Sequence, residues 1–256
     1  MRSISLLTLL VFTLIGTTYG DVTITATDAG GGKLRIGYQT TGGVVPVAFG
    51  LNIQLSNGAT FSNVTPTTGA FSFYPSRFRD YINPTNPNWE DPYYLPIPAW
   101  NEPDALGGLG TSGITIETAA MLSPYTSNGS AADFDSDGIV NIMDTAIFSE
   151  QWLMDGGMAD LYSDGSVNFR DYAIFLDGHF DSIPASGDLL LLQLNGNGAA
   201  TTTANISLNL TRGGIVLQNA SPATAILPTQ VTVIVPEPAT LFLLGLGGLA
   251  LRRRKA

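Results

Sequence analysis

At 256 residues the chain is long enough to bury a substantial core, in one large domain or two small ones. It carries 21 acidic against 11 basic side chains, with 29 glycines and only 12% charged residues; that balance suits an extracellular β protein and excludes the clustered basic surface that nucleic-acid phosphates require. Cysteine is absent, which excludes disulfides, thiolate catalysis and Cys-built zinc sites, and the single histidine, His179, is given no role.

Residues 1–20 open with Arg2, run through an apolar stretch at 4–15 and end Gly16-Thr17-Thr18-Tyr19-Gly20. This is the layout of a secretory signal peptide, with small Gly20 and modest Thr18 where a signal peptidase inspects the chain. From Asp21 onward, alternating stretches at 22–27, 33–39 and 48–55 are separated by Gly-rich turns and read as strands. Residues 71–101 form a Pro-rich, aromatic segment in which Trp89 and Trp100 lie among Asp80, Glu90 and Asp91. Exposed rings there would stack on sugars, giving a polysaccharide-binding module; rings folded onto one another would make a mini-core, which is the favoured reading. A glycan hydrolase would need two carboxylates facing across a cleft, an arrangement the sequence does not give Glu90 and Glu102, and the chain is read as non-catalytic.

The chemistry lies further on. Residues 133–144 place Asp133, Asp135, Asp137 and Asp144 at positions 1, 3, 5 and 12 of a loop, with Gly138 at 6 and Asn141 at 9. Calcium takes six to eight oxygens, and alternate positions of a tight loop aim successive carboxylates at one point. Gly138 permits the bend, the Ile139 carbonyl adds a backbone oxygen, Asn141 can hold a water and Asp144 closes the shell. The pattern returns at 160–171 with Asp160, Asp164, Ser166, Asn168 and Asp171, but Tyr162 stands at position 3. The expectation is one strong Ca2+ site and one weaker one, since the second loop has one carboxylate fewer. Each loop leads into a helix-like stretch, 142–153 and 169–180, whereas breaker-rich sequence precedes each.

This duplicated half-hand is similar to type I dockerin, a calcium-dependent docking module, over about residues 131–183. The resemblance implies calcium on the residues named above, loops paired along short strands around Val140 and Val167, and partner contacts from Ile142, Met143, Phe169 and Arg170. It implies as partner a cohesin-like protein or the chain's own β-sandwich.

After the pair, strand-like stretches return at 189–194, 204–210, 214–217 and 230–234. Neither half has strands enough to close a sandwich, and together they give about eight or nine. The expected fold is mainly β: an antiparallel sandwich of jelly-roll or cohesin-like type built from 21–122 and 187–235, with the small α dockerin-like EF-hand-type pair inserted at 131–183. The strand order and the segment 213–219 also resemble, weakly, cohesin and related carbohydrate-binding sandwiches.

The chain ends with Val235-Pro236-Glu237-Pro238, an apolar run at 241–251 and the cluster Arg252-Arg253-Arg254-Lys255. The three parts resemble the PEP-CTERM sorting signal of bacteria with two membranes, which implies processing by an exosortase after the signal peptidase has acted. About twelve apolar residues rise only ~18 Å as a helix, short of a ~30 Å hydrocarbon core, as a transient anchor would. Residues 236–256 are therefore read as a sorting tail. The whole is read as an exported envelope or matrix protein that docks through a calcium-ordered module.

Overall fold

The computed structural model describes residues 21–67, 70–75, 105–123, 125–126, 130–180, 182–196, 198 and 200–235. The signal peptide, the sorting tail and most of the aromatic segment, with Glu90 and Glu102, lie outside the described residues.

The chain starts as β1 (Asp21–Gly30) and β2 (Lys33–Thr40), whose alternate side chains Val22, Ile24, Leu34, Ile36 and Tyr38 are buried. With β4 (Thr60–Pro66), β8 (Ser186–Asn195) and β11 (Thr224–Ile226) they make a sheet ordered β11-β1-β2-β8-β4. Its pairs are antiparallel except that β1 and β11 run parallel. In the second sheet β3 (Pro46–Leu55) is central. It takes β5 (Gly113–Ala119) along one edge, and β9 (Thr201–Leu208) and β10 (Ile215–Leu217) end to end along the other. β12 (Val231–Ile234) adds to β9. Apolar side chains from the two sheets, among them Phe49, Leu51, Phe61, Ile116 and Leu192, fill the space between them. The fold is a β-sandwich, mainly β as the sequence implies.

Strands on both sides of the loop–helix region share each sheet: Ile36 pairs with Leu190, and Leu51 with Leu208. Three strands of the two sandwich sheets lie outside the expected stretches: β4, β5 and β11. β5 is buried along its whole length: Ile114 and Ile116 face the core, and Thr115 and Glu117, which alternate with them, are covered on the other face too. Its outer face and that of β3 are covered by a second buried cluster, to which Val47, Ala48 and Ala119 contribute from the sheet. The covering layer comprises β7 (Ile139–Val140), α1 (Ile142–Glu150) and α2 (Phe169–Leu176), with β6 (Tyr125–Thr126) paired to β7. Both helices are shorter than their apolar pattern: Gln151 caps α1, and Asp177 stops α2 with a left-handed φ of 44°. Among the described residues no helix is long and apolar enough to cross a membrane.

Candidate functional site

The two acidic loops share one backbone. Ser136 and Ser163, at the fourth position, have φ of 61° and 58°, and Gly138 and Gly165, at the sixth, have 87° and 92°. Any side chain at the sixth position would be strained, which accounts for glycine in both. The bend is held from inside. In the first loop the Asp133 carboxylate accepts from the amides of Asp137 (3.1 Å) and Gly138 (3.0 Å). In the second, Asp160 accepts from Asp164 (3.2 Å) and Gly165 (3.1 Å). The first loop brings carboxylate oxygens of Asp133, Asp135 and Asp137 within 4.8 Å of one another; the second does the same with Asp160, Asp164 and Asp171. An all-oxygen set of hard donors this close suits a hard divalent cation such as calcium.

The position-12 carboxylates begin the helices. Asp144 accepts from the amides of Phe134 (2.7 Å) and Asn141 (2.9 Å), while Asn141 accepts from Met143 (2.7 Å), a reciprocal cap on α1. Asp171, Asn168, Tyr162 and Arg170 repeat this arrangement at α2. Asp144 is not in the gathered set of its loop, whereas Asp171 is in its own. The side-chain amide of Asn141 donates to the Ile139 carbonyl at 3.1 Å, and that of Asn168 to the Ser166 carbonyl at 3.3 Å, so in each loop positions 7 and 9 are joined. Desolvation raises the Asp135 carboxyl above the usual carboxylate range, with the charges of Asp137, Asp144 and Asp133 adding to it against the amide of Asp137. Burial likewise raises Asp171, reinforced by Asp164 and Asp160 and opposed by the amides of Tyr162 and Asn168. Crowded negative charge of this kind is relieved by a cation.

One implication of the dockerin resemblance is corrected. The loops do not pair with each other around Val140 and Val167. Val140 pairs with Tyr125 in β6, and Val167 exchanges backbone hydrogen bonds with Leu153 and Met154 (2.9 and 3.0 Å), in the segment that enters its own loop. Each loop closes on nearby chain, which costs less entropy than closing on the other repeat.

The four residues implied for partner contact divide in two. Ile142 and Met143 are 51% and 57% exposed, while the equivalent Phe169 is fully buried. Phe169 packs on Trp152, with ring centroids 4.8 Å apart, and faces the turn after β9. A Cβ on Gly213, in that turn, would stand 3.1 Å from Asn168 Oδ1 and 3.5 Å from Phe169 Cβ, so a bare backbone is what allows the approach. From α2 the Tyr172 hydroxyl donates to the Ala120 carbonyl at 2.9 Å, and its ring stacks on Phe73 with centroids 4.5 Å apart. The start of the aromatic segment gives Phe71 to the sandwich core, against Tyr38 and Phe49, and Phe73 to the cluster under the helices; its other rings lie outside the described residues.

The centre of this seam is charged. Glu117 of β5 and Arg212, in the 3-10 turn Leu210–Arg212, are 1% and 0% exposed and form an ion pair, Arg212 Nε donating to Glu117 Oε2 at 2.9 Å. The Trp152 indole N–H donates to the same oxygen at 3.2 Å, tying the chain after α1 to the sheet. Sequence reasoning passed over Glu117 and Arg212. Their signal was isolation: Glu117 is the single charged residue between Asp104 and Asp133, and Arg212 the single Lys or Arg between Arg170 and Arg252.

Residues 235–255 match the family model of the PEP-CTERM protein-sorting motif. No curated protein matches the chain. Among solved structures, the chain is similar to a complex of a CaDoc0917 variant with CaCohA2, at 10% identity and a TM-score of 0.35, over 85% of this chain and 99% of that one. It is also similar to the sixth cohesin of Acetivibrio cellulolyticus scaffoldin B in complex with a Cel5 dockerin double mutant, at 7% identity and a TM-score of 0.35, over 86% of this chain and 100% of that one.

Proposed function

We propose that this exported surface protein is non-catalytic and that its calcium-ordered, dockerin-type loop–helix pair docks on the β-sandwich of its own chain. The PEP-CTERM motif carries the address: export to the cell surface, with exosortase processing of the tail. The observation that carries the docking is the buried Glu117–Arg212 pair with Trp152 on its carboxylate, set in a continuous apolar cluster between pair and sheet. Both charges belong to the sandwich, and what reaches them from the loop–helix pair is the Trp152 indole N–H, a directed hydrogen bond in a dry seam of the kind a built interface makes.

In the first loop Asp133, Asp135, Asp137 and Asp144, with Asn141 and the Ile139 carbonyl, would hold the ion; in the second Asp160, Asp164 and Asp171, with Asn168 and Ser166, more weakly because Tyr162 replaces a carboxylate. Calcium, when bound, supplies the positive charge that offsets carboxylate repulsion in the loops. The chain's own residues do the rest. Asp144 and Asp171 fix the first turns of α1 and α2, and α2 then presents Phe169 and Tyr172 to the outer face of the sheet. A polysaccharide-binding role would rest on residues 76–104, outside the described residues.

Hydrogen exchange on the mature chain, with and without EGTA, tests this reading. Chelation should deprotect amides at 131–180 and, together with them, those of β5, whose outer face the pair covers. Unchanged exchange at 131–180 would overturn the calcium reading. Loss there with β5 fully retained would overturn the docking.

A further inference from the structure

Of the positions at which the two loops differ, two are coupled. Position 3 is Asp135 in the first and Tyr162 in the second; position 11 is Met143 in the first and Arg170 in the second. A carboxylate has been exchanged for an aromatic ring and an apolar side chain for a cation, and the fold brings the two newcomers together. The Arg170 guanidinium carbon lies 3.5 Å from the centroid of the Tyr162 ring. Its Nη1 lies 3.3 Å from Oδ2 of Asp164, the carboxylate at position 5. Its Nε donates to the carbonyl of Ala220, in the turn after β10, at 3.5 Å.

We infer that Arg170 is the resident cation of the second loop, holding Asp164 in place of a metal ion and fastening the loop to the sandwich through Ala220. This rests on the calcium reading and goes beyond it, since it makes the weakness of the second site the work of a side chain of this chain: one ion binds strongly, and the other repeat is held closed by Arg170. The charges support it. The first loop has four carboxylates and no base, whereas the second has three and the one Lys or Arg found between residues 131 and 182. A guanidinium seated on a ring face is already organised for its carboxylate and gives up less freedom on pairing than a mobile side chain would. A divalent ion entering the second loop must share or take Asp164, and so must break a contact that also holds the docked interface. The first loop offers no such competitor, because Met143 at the same position is exposed and apolar.

Isothermal calorimetry of Ca2+ binding to the mature chain decides the matter. Wild type should give one binding event, removed by Asp137→Ala. Arg170→Met, which installs the residue of the first loop, should add a second event at least tenfold tighter than any residual second-site binding in wild type, and Asp164→Asn on that background should remove it. Arg170→Lys keeps the charge and should still suppress the second event, while an unchanged circular dichroism spectrum shows that each variant folds. Arg170→Met with no added event would overturn the role of the arginine, however the first loop behaves. Two comparable events in wild type would overturn it equally. A wild type that binds no Ca2+ beside an Arg170→Met that binds one would overturn the calcium reading of the first loop and leave the arginine's role supported.

Discussion

Replacing Glu117 by alanine should be among the most damaging single changes in the described fold. The carboxylate is 1% exposed and, among the described residues, accepts from the Arg212 guanidinium at 2.9 Å and from the Trp152 indole at 3.2 Å. Its removal leaves a fully buried guanidinium without that counter-charge, which costs about 3–5 kcal/mol. The stranded indole N–H would cost about 1–3 kcal/mol alone, but both losses stem from one group and are not additive. A net loss of about 4 kcal/mol is expected, a large share of the ~5–15 kcal/mol of a typical domain. With a urea m-value of about 2.5 kcal/mol/M, the midpoint followed by circular dichroism should fall by roughly 1.5 M. Glu117→Gln keeps an acceptor for Trp152 and should fall in between. The double change Glu117→Leu with Arg212→Met removes both charges and refills the volume, so it should cost less than Glu117→Ala alone. A midpoint shift below about 0.3 M for Glu117→Ala, or a double variant costing the sum of its singles, would refute the reasoning.

The internal repeat supplies a matched comparison: Phe169→Ala, at a fully buried site, should cost about 3–5 kcal/mol, while Ile142→Ala at the equivalent, 51% exposed position should cost under about 1 kcal/mol, both read from urea midpoints. Burial pushes the Tyr38 hydroxyl from its usual 10 up to about 12, so the folded state holds this proton more tightly than the unfolded chain. Stability should therefore be full below pH 10 and fall as pH rises through about 12, with tyrosinate absorbance appearing in step with unfolding. Intact mass of protein extracted from the envelope should lack Arg252 to Lys255, and a main species retaining them would contradict processing of the sorting motif.

The sandwich is legible in the sequence wherever one strand face meets the core and the other meets water, as in β1 and β2, where Val22, Ile24, Leu34 and Ile36 alternate with exposed or half-exposed neighbours. In β5 the alternation is present, Ile114 and Ile116 against Thr115 and Glu117, but it misleads about solvent: the polar face is buried beneath the helices, which only the folded chain reveals. The loops are legible because their geometry is local: twelve consecutive residues determine which carboxylates turn inward. The seam is not local. Glu117 and Arg212 stand 95 residues apart, and only the closed sheet brings them together. For the same reason the exposure of Ile142 and the burial of Phe169, at equivalent positions of a repeat, could not be told apart before the pair was seen against its sheet.

The strand order also constrains how this molecule comes into being. β2 lies between β1 and β8, and the partner of Ile36 is Leu190, synthesised 154 residues later. The central strand β3 likewise waits for β9, and β9 for β12, which ends at Ile234, next to the sorting motif. Neither sheet can close on a partly delivered chain, and pairings this distant in sequence form slowly. The sandwich can therefore be complete only once the chain has been delivered as far as Ile234, one residue before the sorting motif begins.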